Sequence, residues 1–285
     1  MILDWKTYVL RSDIRNLPLE EQRRQFLKEQ LYYDNLLSEQ RQLQYQLYQI
    51  QSQGGRTLNP NPFLNTRSLS FDSVDDYVDL GSGSTVANGG QFTLSFWING
   101  SAASSGGQTY LFSADYYNLH NTWVLQSSNL QWMNINGVRG NLSIGVLDSN
   151  WHHILIVFNP TGADQTIRCF TDGANEVNVS TDYRYAASST TYIGGLRYIG
   201  NRGGGSYNGL NGLIDEFAAW DSDESSNLSS IYNGGVPNNL NDLNNPPSTW
   251  LRMGDSDTFP TLTDNGSGGN NGTINGATIV EDVPS

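Results

Sequence analysis

The chain of 285 residues carries 28 acidic and 15 basic side chains, a formal charge of −13, and 30 glycines. This composition favours many short strands joined by tight turns over a helical protein. The charge argues against a nucleic-acid partner, because phosphates require a concentrated basic face. Residues 1–56 have a net charge of +1, which leaves −14 for residues 57–285.

No targeting or membrane signal is predicted. The first residues, MILDWKTYVLRSD, lack a basic stretch followed by an apolar core, so they do not resemble a cleaved secretory signal. No apolar run approaches the roughly 18 residues that span a membrane. The single cysteine, Cys169, excludes an intramolecular disulfide and is predicted to be a small buried apolar residue.

Residues 17–53 are predicted to form one long helix of roughly 55 Å, at about 1.5 Å per residue. Asn16 fits an N-cap, Pro18 sits in the first turn where proline is tolerated, and Gly54 follows the last turn. Residues 1–56 are therefore interpreted as a helical segment for anchoring or oligomerisation.

The second half of this helix fits a coiled-coil heptad. Its core positions are Tyr33, Leu36, Gln40, Leu43, Leu47 and Ile50. A polar core residue such as Gln40 often fixes the oligomer state, and a homotrimer is favoured. The alternative is a single amphipathic helix that lies on another protein, which the apolar residues off the seam support: Leu27, Leu31, Leu37 and Tyr48.

Residues 57–66, TLNPNPFLNT, are interpreted as a linker because of their prolines and asparagines. Residues 67–285 then change to strand patterns, with candidates in FTLSFWI, WHHILIVFN, QTIRCFTDG, TTYIGG and GLIDEFAAW. HILIVF is apolar on both faces, which fits a strand buried between layers. We predict a mainly β fold of two packed antiparallel sheets, with one short helix in SDESSNLSSIYNGG.

The order of several segments resembles a known family. SLSFDSVDDYVDL, FTLSFWI, WHHILIVFN, YIGG, GLIDEFAAWD and LSSIYNGGVPNNL follow one another as in laminin-G-like domains of the concanavalin A-like lectin/glucanase superfamily. The resemblance covers residues 67–285 and implies a jelly-roll β-sandwich. Ser73 replaces a glycine that is usual in the first of these segments.

The C-terminal segment, WLRMGDSDTFPTLTDNGSGGNNGTINGATIVEDVP, resembles the end of laminin-G-like proteins in bacteriophage genomes, many of them marine. This resemblance implies a virion structural protein, either a head fibre, a capsid decoration or a tail appendage. Such a protein is assembled in the host cytoplasm, and residues 1–56 are expected to contact other virion proteins. The lectin-like domain is expected to serve host-surface glycan adhesion or particle decoration. A bacterial surface adhesin is an alternative.

The superfamily also contains glycosidases, so a glycan-cleaving enzyme is a further alternative. Retaining hydrolysis requires two carboxyl groups about 5–5.5 Å apart, and the glucanases supply them from a Glu-x-Asp-x-Glu pattern. Here Leu213 and Phe217 occupy the flanking positions around Asp215, and Asp215 and Glu216 are expected on opposite faces of the strand. No catalytic residue is predicted, and the protein is expected not to be an enzyme.

Asp215 lies in an otherwise apolar strand and has three interpretations. In the first, it binds a structural calcium ion together with Asp72, Asp75 and Asp76 of the first strand segment. In the second, it accepts hydrogen bonds from backbone amides at the turn around Ser73. In the third, a β-bulge turns it towards solvent. All three make the residue structural.

Three tyrosines are the predicted carbohydrate-binding residues. Exposed aromatic rings stack on sugars, although aromatic residues of a sandwich belong more often to its core. Tyr116 and Tyr117 lie in a stretch rich in Asn, His and Gln, and Tyr207 adjoins a glycine-rich stretch.

Overall fold

The computed structural model describes residues 15–29, 63–82, 84–87, 90–101, 108–114, 122–126, 129–134, 137–144, 148–159, 166–173, 175–177, 195–203 and 208–285. The chain divides into two compact units, Met1–Leu64 and Asn65–Ser285. The second unit therefore begins at Asn65, two residues before the boundary predicted from the sequence.

In the first unit, helix α1 covers residues 19–29. The carbonyl of Pro18 accepts hydrogen bonds from the amides of Glu21 and Gln22, at 2.9 and 3.0 Å. Pro18, and not Asn16, therefore holds the position that begins the helix. No helix among the described residues is long and apolar enough to cross a membrane.

The remainder of the predicted 17–53 helix lies outside the described residues. This includes all the predicted oligomerisation positions: Tyr33, Leu36, Gln40, Leu43, Leu47 and Ile50. The coiled coil and the trimer stay predictions.

The second unit contains two antiparallel sheets. The first sheet has the order β10 (Asn175–Val177), β9 (Thr166–Thr171), β8 (Asp148–Asn159), β3 (Phe92–Ser101), β12 (Asn211–Trp220), β1 (Ser68–Asp72) and β16 (Thr278–Val280), and β13 (Thr249–Leu251) also pairs with β12. The second sheet has the order β14 (Thr261–Leu262), β15 (Gly272–Asn275), β2 (Tyr77–Asp79), β11 (Tyr198–Ile199), β4 (Gln108–Ser113), β5 (Thr122–Gln126), β6 (Asn129–Asn134) and β7 (Gly137–Ser143). This arrangement is the predicted mainly β sandwich, and it is consistent with a jelly roll.

Alternate residues of each strand build the core between the sheets. The largest contributions from the first sheet are Phe92, Leu94, Phe96 and Ile98 of β3 and Ile154, Ile156 and Phe158 of β8. The ring of Phe96 meets the ring of Phe112 on the second sheet edge-on, with centroids 4.9 Å apart. Cys169 is buried in the same core, as predicted, and this burial raises the pKa of its thiol to about 12.

A short helical segment follows β12, as predicted. It consists of a 3₁₀ turn (Ser225–Asn227), helix α2 (Leu228–Tyr232) and a second 3₁₀ turn (Asn233–Gly235). Leu228 and Ile231 are buried, and the ring of Tyr232 stacks on Trp97 of β3 with centroids 5.7 Å apart. The segment therefore packs on the face of the first sheet that is turned away from the core.

Candidate ligand-binding face and acidic clusters

The outer face of the first sheet, which is the face turned away from the core, is largely buried and carries both apolar and polar side chains. It carries Trp97, Leu155, Val157, Phe170, Ala218 and Trp220, which are buried but do not belong to the core between the sheets. Leu155 and Val157 alternate with core residues of β8, which explains why HILIVF is apolar on both faces. The segment that contains α2 packs on this side through Tyr232 and Trp97. Trp220 donates a 2.9 Å hydrogen bond from Nε1 to the carbonyl of Asn245, in the chain that follows this segment. The buried residues of this face are therefore not accessible to a ligand.

From β14 to β4, the outer face of the second sheet is polar and aromatic instead. Val78, Ile199, Leu262 and Ile274 point into the core, so their strand neighbours point outward. The strand register aligns five outward residues in one row across β14, β15, β2, β11 and β4: Thr261, Thr273, Asp79, Tyr198 and Ser113. All five side chains end in oxygen, and we call this set the oxygen row.

Only one end of the oxygen row is accessible. Thr261 and Thr273 are exposed and Asp79 is half-buried, whereas Tyr198 and Ser113 are buried. Tyr77 precedes Asp79 on the same face by two residues and is also half-buried. The accessible end thus combines hydroxyl groups, one carboxylate and one aromatic ring.

Arg197 contacts the two residues in the middle of the oxygen row, Asp79 and Tyr198. Arg197 donates two hydrogen bonds to Asp79, at 2.9 Å from Nε and 3.0 Å from an Nη, and its guanidinium lies 4.8 Å from the ring centroid of Tyr198. Burial alone would raise the pKa of Asp79, but the bonds from Arg197 and from the Gly81 amide outweigh it and lower the pKa. Asp79 is therefore a carboxylate acceptor near neutral pH.

A tight turn after β11 lies on the same face. Gly203 has φ of +78°, and a Cβ atom at this position would lie 2.5 Å from the ring of Tyr198. The preceding residue, Arg202, places its guanidinium 5.1 Å from the ring centroid of Tyr110 and donates to the Tyr110 hydroxyl at 3.3 Å. Glycine is required here because the backbone itself rests on the tyrosine ring.

The three tyrosines predicted to bind carbohydrate, Tyr116, Tyr117 and Tyr207, lie outside the described residues. Tyr116 and Tyr117 follow β4, and Tyr207 precedes Asn208, whose carbonyl accepts a 2.9 Å hydrogen bond from the Tyr110 amide. The role of all three in sugar binding stays a prediction.

The accessible residues of the oxygen row were not predicted from the sequence. Tyr77 and Asp79 alternate around the core residue Val78, and this period of two was a visible signal. Their neighbours Thr273 and Arg197 come from distant parts of the chain, so no local pattern indicates that these groups meet.

The predicted calcium ligands Asp72, Asp75 and Asp76 do come together. One carboxylate oxygen of each lies within 4.8 Å of the others, and we call these residues the acidic triad. The amide of Asp72 donates to Asp76 at 2.9 Å, and Ser73 between them has φ of +68°. Burial of Asp76, and then the charges of Asp72 and Asp75, raise its pKa. Three carboxylates at this spacing suit a hard cation such as calcium.

Asp215 does not join the acidic triad, which corrects the predicted four-residue site. Asp72 faces Asn211 in the register of β1 and β12, so Asp215 lies four residues further along, about 13 Å away. It is fully buried, with 0% exposure, and accepts hydrogen bonds from Asn65 Nδ2 at 2.7 Å and from the Glu216 amide at 2.8 Å. The backbone donor is therefore Glu216 and not the turn around Ser73. The β-bulge of the third interpretation is present, but the exposure of Asp215 to solvent that it predicted is wrong.

A β-bulge changes the faces of β12. Asp215 pairs with Trp97 and Ala218 pairs with Ser95, so two residues of β12 oppose the single residue Phe96. Glu216 in the bulge has φ of +49°. The predicted alternation of the strand is therefore interrupted at this point.

The bulge turns both acids away from the core. Ile214, Phe217 and Ala219 belong to the core, so Asp215 and Glu216 both lie on the outer side of the first sheet. This corrects the prediction that Asp215 and Glu216 point to opposite faces of the strand.

The two acids occupy a gap in the sheet. On one edge of β12, β1 pairs with residues up to Ile214 and β13 pairs from Phe217 onward. Asp215 and Glu216 lie between these two partners. Among the described strands, neither β1 nor β13 forms ladder pairs with Asp215 or Glu216, so the ladder along this edge is interrupted at the two acids.

Glu216 was not singled out by the sequence, and it has the stronger set of partners. Trp250 Nε1 donates to Glu216 Oε2 at 2.6 Å, and Arg252 Nε lies 3.3 Å from Oε1. Arg252 also pairs with Asp255 at 3.2 Å. We call Asp215, Glu216 and Asp255, with Arg252, the carboxyl cluster.

Burial dominates the electrostatics of the carboxyl cluster. It raises the pKa of Glu216 to about 7, against the opposing effect of Arg252. Burial and the charge of Glu216 raise the pKa of Asp215 well above its ordinary value. Glu216 is only 3% exposed and Asp215 is not exposed, so the two groups do not meet a substrate in this structure. Their hydrogen bonds and ion pairs instead connect neighbouring segments of the fold.

The carboxyl cluster also holds the beginning of the second unit. Asp255 accepts hydrogen bonds from the amide and hydroxyl of Thr66, at 3.0 and 2.6 Å, and Asp215 holds Asn65. Residues 65 and 66, predicted to end a linker, are therefore part of the folded sandwich.

The two adjacent histidines of β8 point to different sides. His152 lies between Asp172 at 2.8 Å from Nδ1 and Asp148 at 3.1 Å from Nε2. Burial alone would lower the pKa of His152, but these hydrogen bonds outweigh it and raise the pKa. His153 is buried against Ser95, with 2.8 Å between Nε2 and Oγ, and burial lowers its pKa to about 4. The two side chains do not converge on a common metal.

A family model described as the concanavalin A-like lectin/glucanases superfamily (Laminin_G_3) matches residues 72–227, just over half of the chain. The chain belongs to this family. The matched range contains the acidic triad, the bulge of β12 and most of the oxygen row. A search among curated proteins finds no significant match.

Several solved structures are similar to this chain. A candidate carbohydrate binding protein from Bacteroides ovatus ATCC 8483 has a TM-score of 0.55 at 15% identity, over 79% of this chain and 62% of that chain. The mouse laminin α1 chain, domains LG4–5, has a TM-score of 0.34 at 15% identity, over 59% and 45%. The binding domain of botulinum neurotoxin serotype D has a TM-score of 0.43 at 15% identity, over 73% and 55%. The Bacteroides ovatus structure shows the shared fold, and this chain spans 62% of its length.

Proposed function

We propose that this chain is a non-enzymatic, glycan-binding structural protein of a virion. In this proposal the sandwich is displayed outward and residues 1–56 attach it to other virion proteins. Its place on the particle is a head fibre, a capsid decoration or a tail appendage.

The observation that carries glycan binding is the difference between the two outer faces. The first sheet is closed by an apolar layer under α2, whereas the second sheet presents hydroxyl groups, a carboxylate and a tyrosine. Sugars are recognised by hydrogen bonds to hydroxyl groups together with aromatic stacking, and this face offers both. The designation of the Bacteroides ovatus protein as a candidate carbohydrate binding protein agrees with this proposal.

The absence of enzymatic activity is proposed from the positions of the acids. Retaining and inverting glycosidases both need two carboxyl groups that reach the sugar from its two sides. Asp215 and Glu216 are adjacent and buried, and Asp79 is paired with Arg197. Glycan cleavage remains the competing function, and a reducing-sugar assay distinguishes it from binding.

The virion assignment is supported by the C-terminal resemblance to phage proteins and by the character of the N-terminal unit. Leu19 and Leu27 of α1 are 55% and 66% exposed, so both side chains are available to a partner protein. The competing bacterial surface adhesin would share the sandwich but not the assembly into particles.

A glycan array with the full chain tests the binding function directly. Saturable binding to a defined set of glycans is expected, and no binding to any glycan would leave only the decoration role. Deletion of residues 1–53 tests the anchor: the truncated chain is expected to fold but to be lost from particles. Normal incorporation of the truncated chain would contradict the anchoring role.

A further inference from the structure

We propose that an uncharged, hydroxyl-rich glycan binds across β14, β15 and β2, with one sugar ring against Tyr77. This inference rests on the proposed glycan binding and adds the position and the chemical class of the ligand. Its contacts are the accessible end of the oxygen row and the ring of Tyr77.

The position follows from exposure along the row. Thr261 and Thr273 are exposed and Tyr77 and Asp79 are half-buried, while the row beyond them is buried at Tyr198 and Ser113. Neighbouring strands lie about 4.8 Å apart, so the open part spans about 10 Å from β14 to β2. This is enough for more than one sugar ring.

Tyr77 is a preorganised platform. Its ring meets Tyr198 edge-on, with centroids 5.7 Å apart and an interplanar angle of 85°. Tyr198 is itself held by the guanidinium of Arg197 on one side and by the backbone of Gly203. A ring fixed in this way loses little conformational freedom when it stacks on a ligand.

The polar groups beside Tyr77 match sugar hydroxyls. A carboxylate offers about four lone-pair positions, and Asp79 uses them for two hydrogen bonds from Arg197 and one from the Gly81 amide. Acceptor capacity therefore remains for a ligand hydroxyl. Thr273 stands directly opposite Asp79 and Thr261 opposite Thr273, and each hydroxyl can both donate and accept.

The distribution of charge around this surface favours an uncharged ligand. The Asp79 and Arg197 charges neutralise each other, and the acidic triad lies immediately before Tyr77 in the chain. Residues 57–285 carry −14 in total. Carboxylated or sulfated glycans are repelled by this field, whereas uncharged glycans are not.

Affinity electrophoresis of the full chain tests the inference, with dextran, laminarin and mannan as uncharged probes and alginate as the anionic probe. We expect retardation by at least one uncharged polysaccharide and none by alginate. Tyr77→Ala should weaken that retardation about three- to tenfold, the effect of one aromatic contact. Tyr77→Phe keeps the ring and should bind like the wild type. Val74→Ala, at an exposed position of the neighbouring turn, is the matched control.

Thr273→Val adds a test that does not depend on the packing of Tyr77. It keeps the shape of an exposed side chain and removes its hydroxyl, so the fold is retained and the retardation should weaken. Unchanged retardation in both Tyr77→Ala and Thr273→Val, or preferential binding of alginate, would overturn the inference while leaving glycan binding intact. If no polysaccharide retards the wild type, the proposed binding function and this inference both fail.

Discussion

Trp250 of β13 donates its indole N–H at 2.6 Å to the carboxyl group of Glu216, which lies in the bulge of β12. Both residues lie on the outer side of the first sheet, where β1 ends and β13 begins along β12. The buried acid is tied to the indole and to Arg252, and through Arg252 to Asp255. Because this carboxyl group is buried, its protonation should make the stability of the protein depend on pH.

We expect the wild type to lose stability as the pH rises from about 4.5 to 7. The variant Glu216→Gln should not show this loss. The pKa of Glu216 is raised from 4.5 to about 7, so the native state keeps a proton that the unfolded chain has released. The free energy of unfolding therefore falls as pH rises through this window, by up to ~3 kcal/mol from this group. Urea unfolding at pH 5 and pH 8 measures the difference.

Glu281→Gln is the control for this measurement, because Glu281 is largely exposed and pairs with Arg67 at 3.1 Å. It should keep the pH dependence of the wild type. If Glu216→Gln shows the same pH dependence as the wild type, the raised pKa of Glu216 is not the cause.

His152 adds a second pH dependence at higher pH. Its pKa is raised by hydrogen bonds to Asp172 and Asp148 despite burial. The stability that the imidazolium contributes is fully present below the ordinary pKa of 6.5 and is lost as pH rises through the raised folded value. We expect Asp172→Asn to lower the pKa of His152 in an NMR titration and to flatten the loss of melting temperature above pH 6.5. An unchanged His152 titration would contradict the ion pair.

Calcium is expected to raise the melting temperature through the acidic triad. An ion that binds only the native state stabilises it by mass action, and the three carboxylate oxygens lie within 4.8 Å of one another. Calcium should raise the melting temperature of the wild type and EDTA should reverse the effect. Asp76→Asn should abolish the response.

Asp215→Asn is the matched control for the calcium measurement. Asp215 lies four residues from the position that faces Asp72, so its variant should respond to calcium like the wild type. A calcium response that is lost in Asp215→Asn but kept in Asp76→Asn would place the ion at the carboxyl cluster instead. A melting curve of the wild type that neither calcium nor EDTA moves would remove the metal proposal.

The N-terminal unit is expected to assemble the chain into trimers. Multi-angle light scattering should give three times the chain mass for the full protein and one chain mass for residues 65–285. Leu43→Asp and Leu47→Asp, at predicted core positions of the coiled coil, should also yield monomers. A monomeric wild type would instead favour the single amphipathic helix that lies on another protein.

Elements with a short-period pattern of apolar residues could be predicted from the sequence. The alternation in FTLSFWI and WHHILIVFN indicated buried strands, and both are strands of the first sheet with Phe96 and Ile154 in the core. The spacing of Leu228 and Ile231 indicated the short helix that covers this sheet. The acidic triad was predictable because its members lie within five residues of one another.

The faces of Asp215 and Glu216 did not follow from the alternation of the strand, because a single bulge reverses it. The sequence left a bulge open as one of three interpretations, but it did not show which face the acids take. The long-range partners of these acids gave no local signal either, since Asn65 lies 150 residues from Asp215.

The sequence alone determined the class of fold, several of the strand-forming segments and the family, because each depends on periodicity or on the order of motifs along the chain. The candidate strand TTYIGG lies outside the described residues, except for its last glycine. The tertiary structure decided which polar groups meet. Thr273, Asp79 and Tyr198 share one row only because their strands are paired in a particular register. The hydrogen bonds that set a register act between distant segments, so a surface made of several strands exists only in the folded chain.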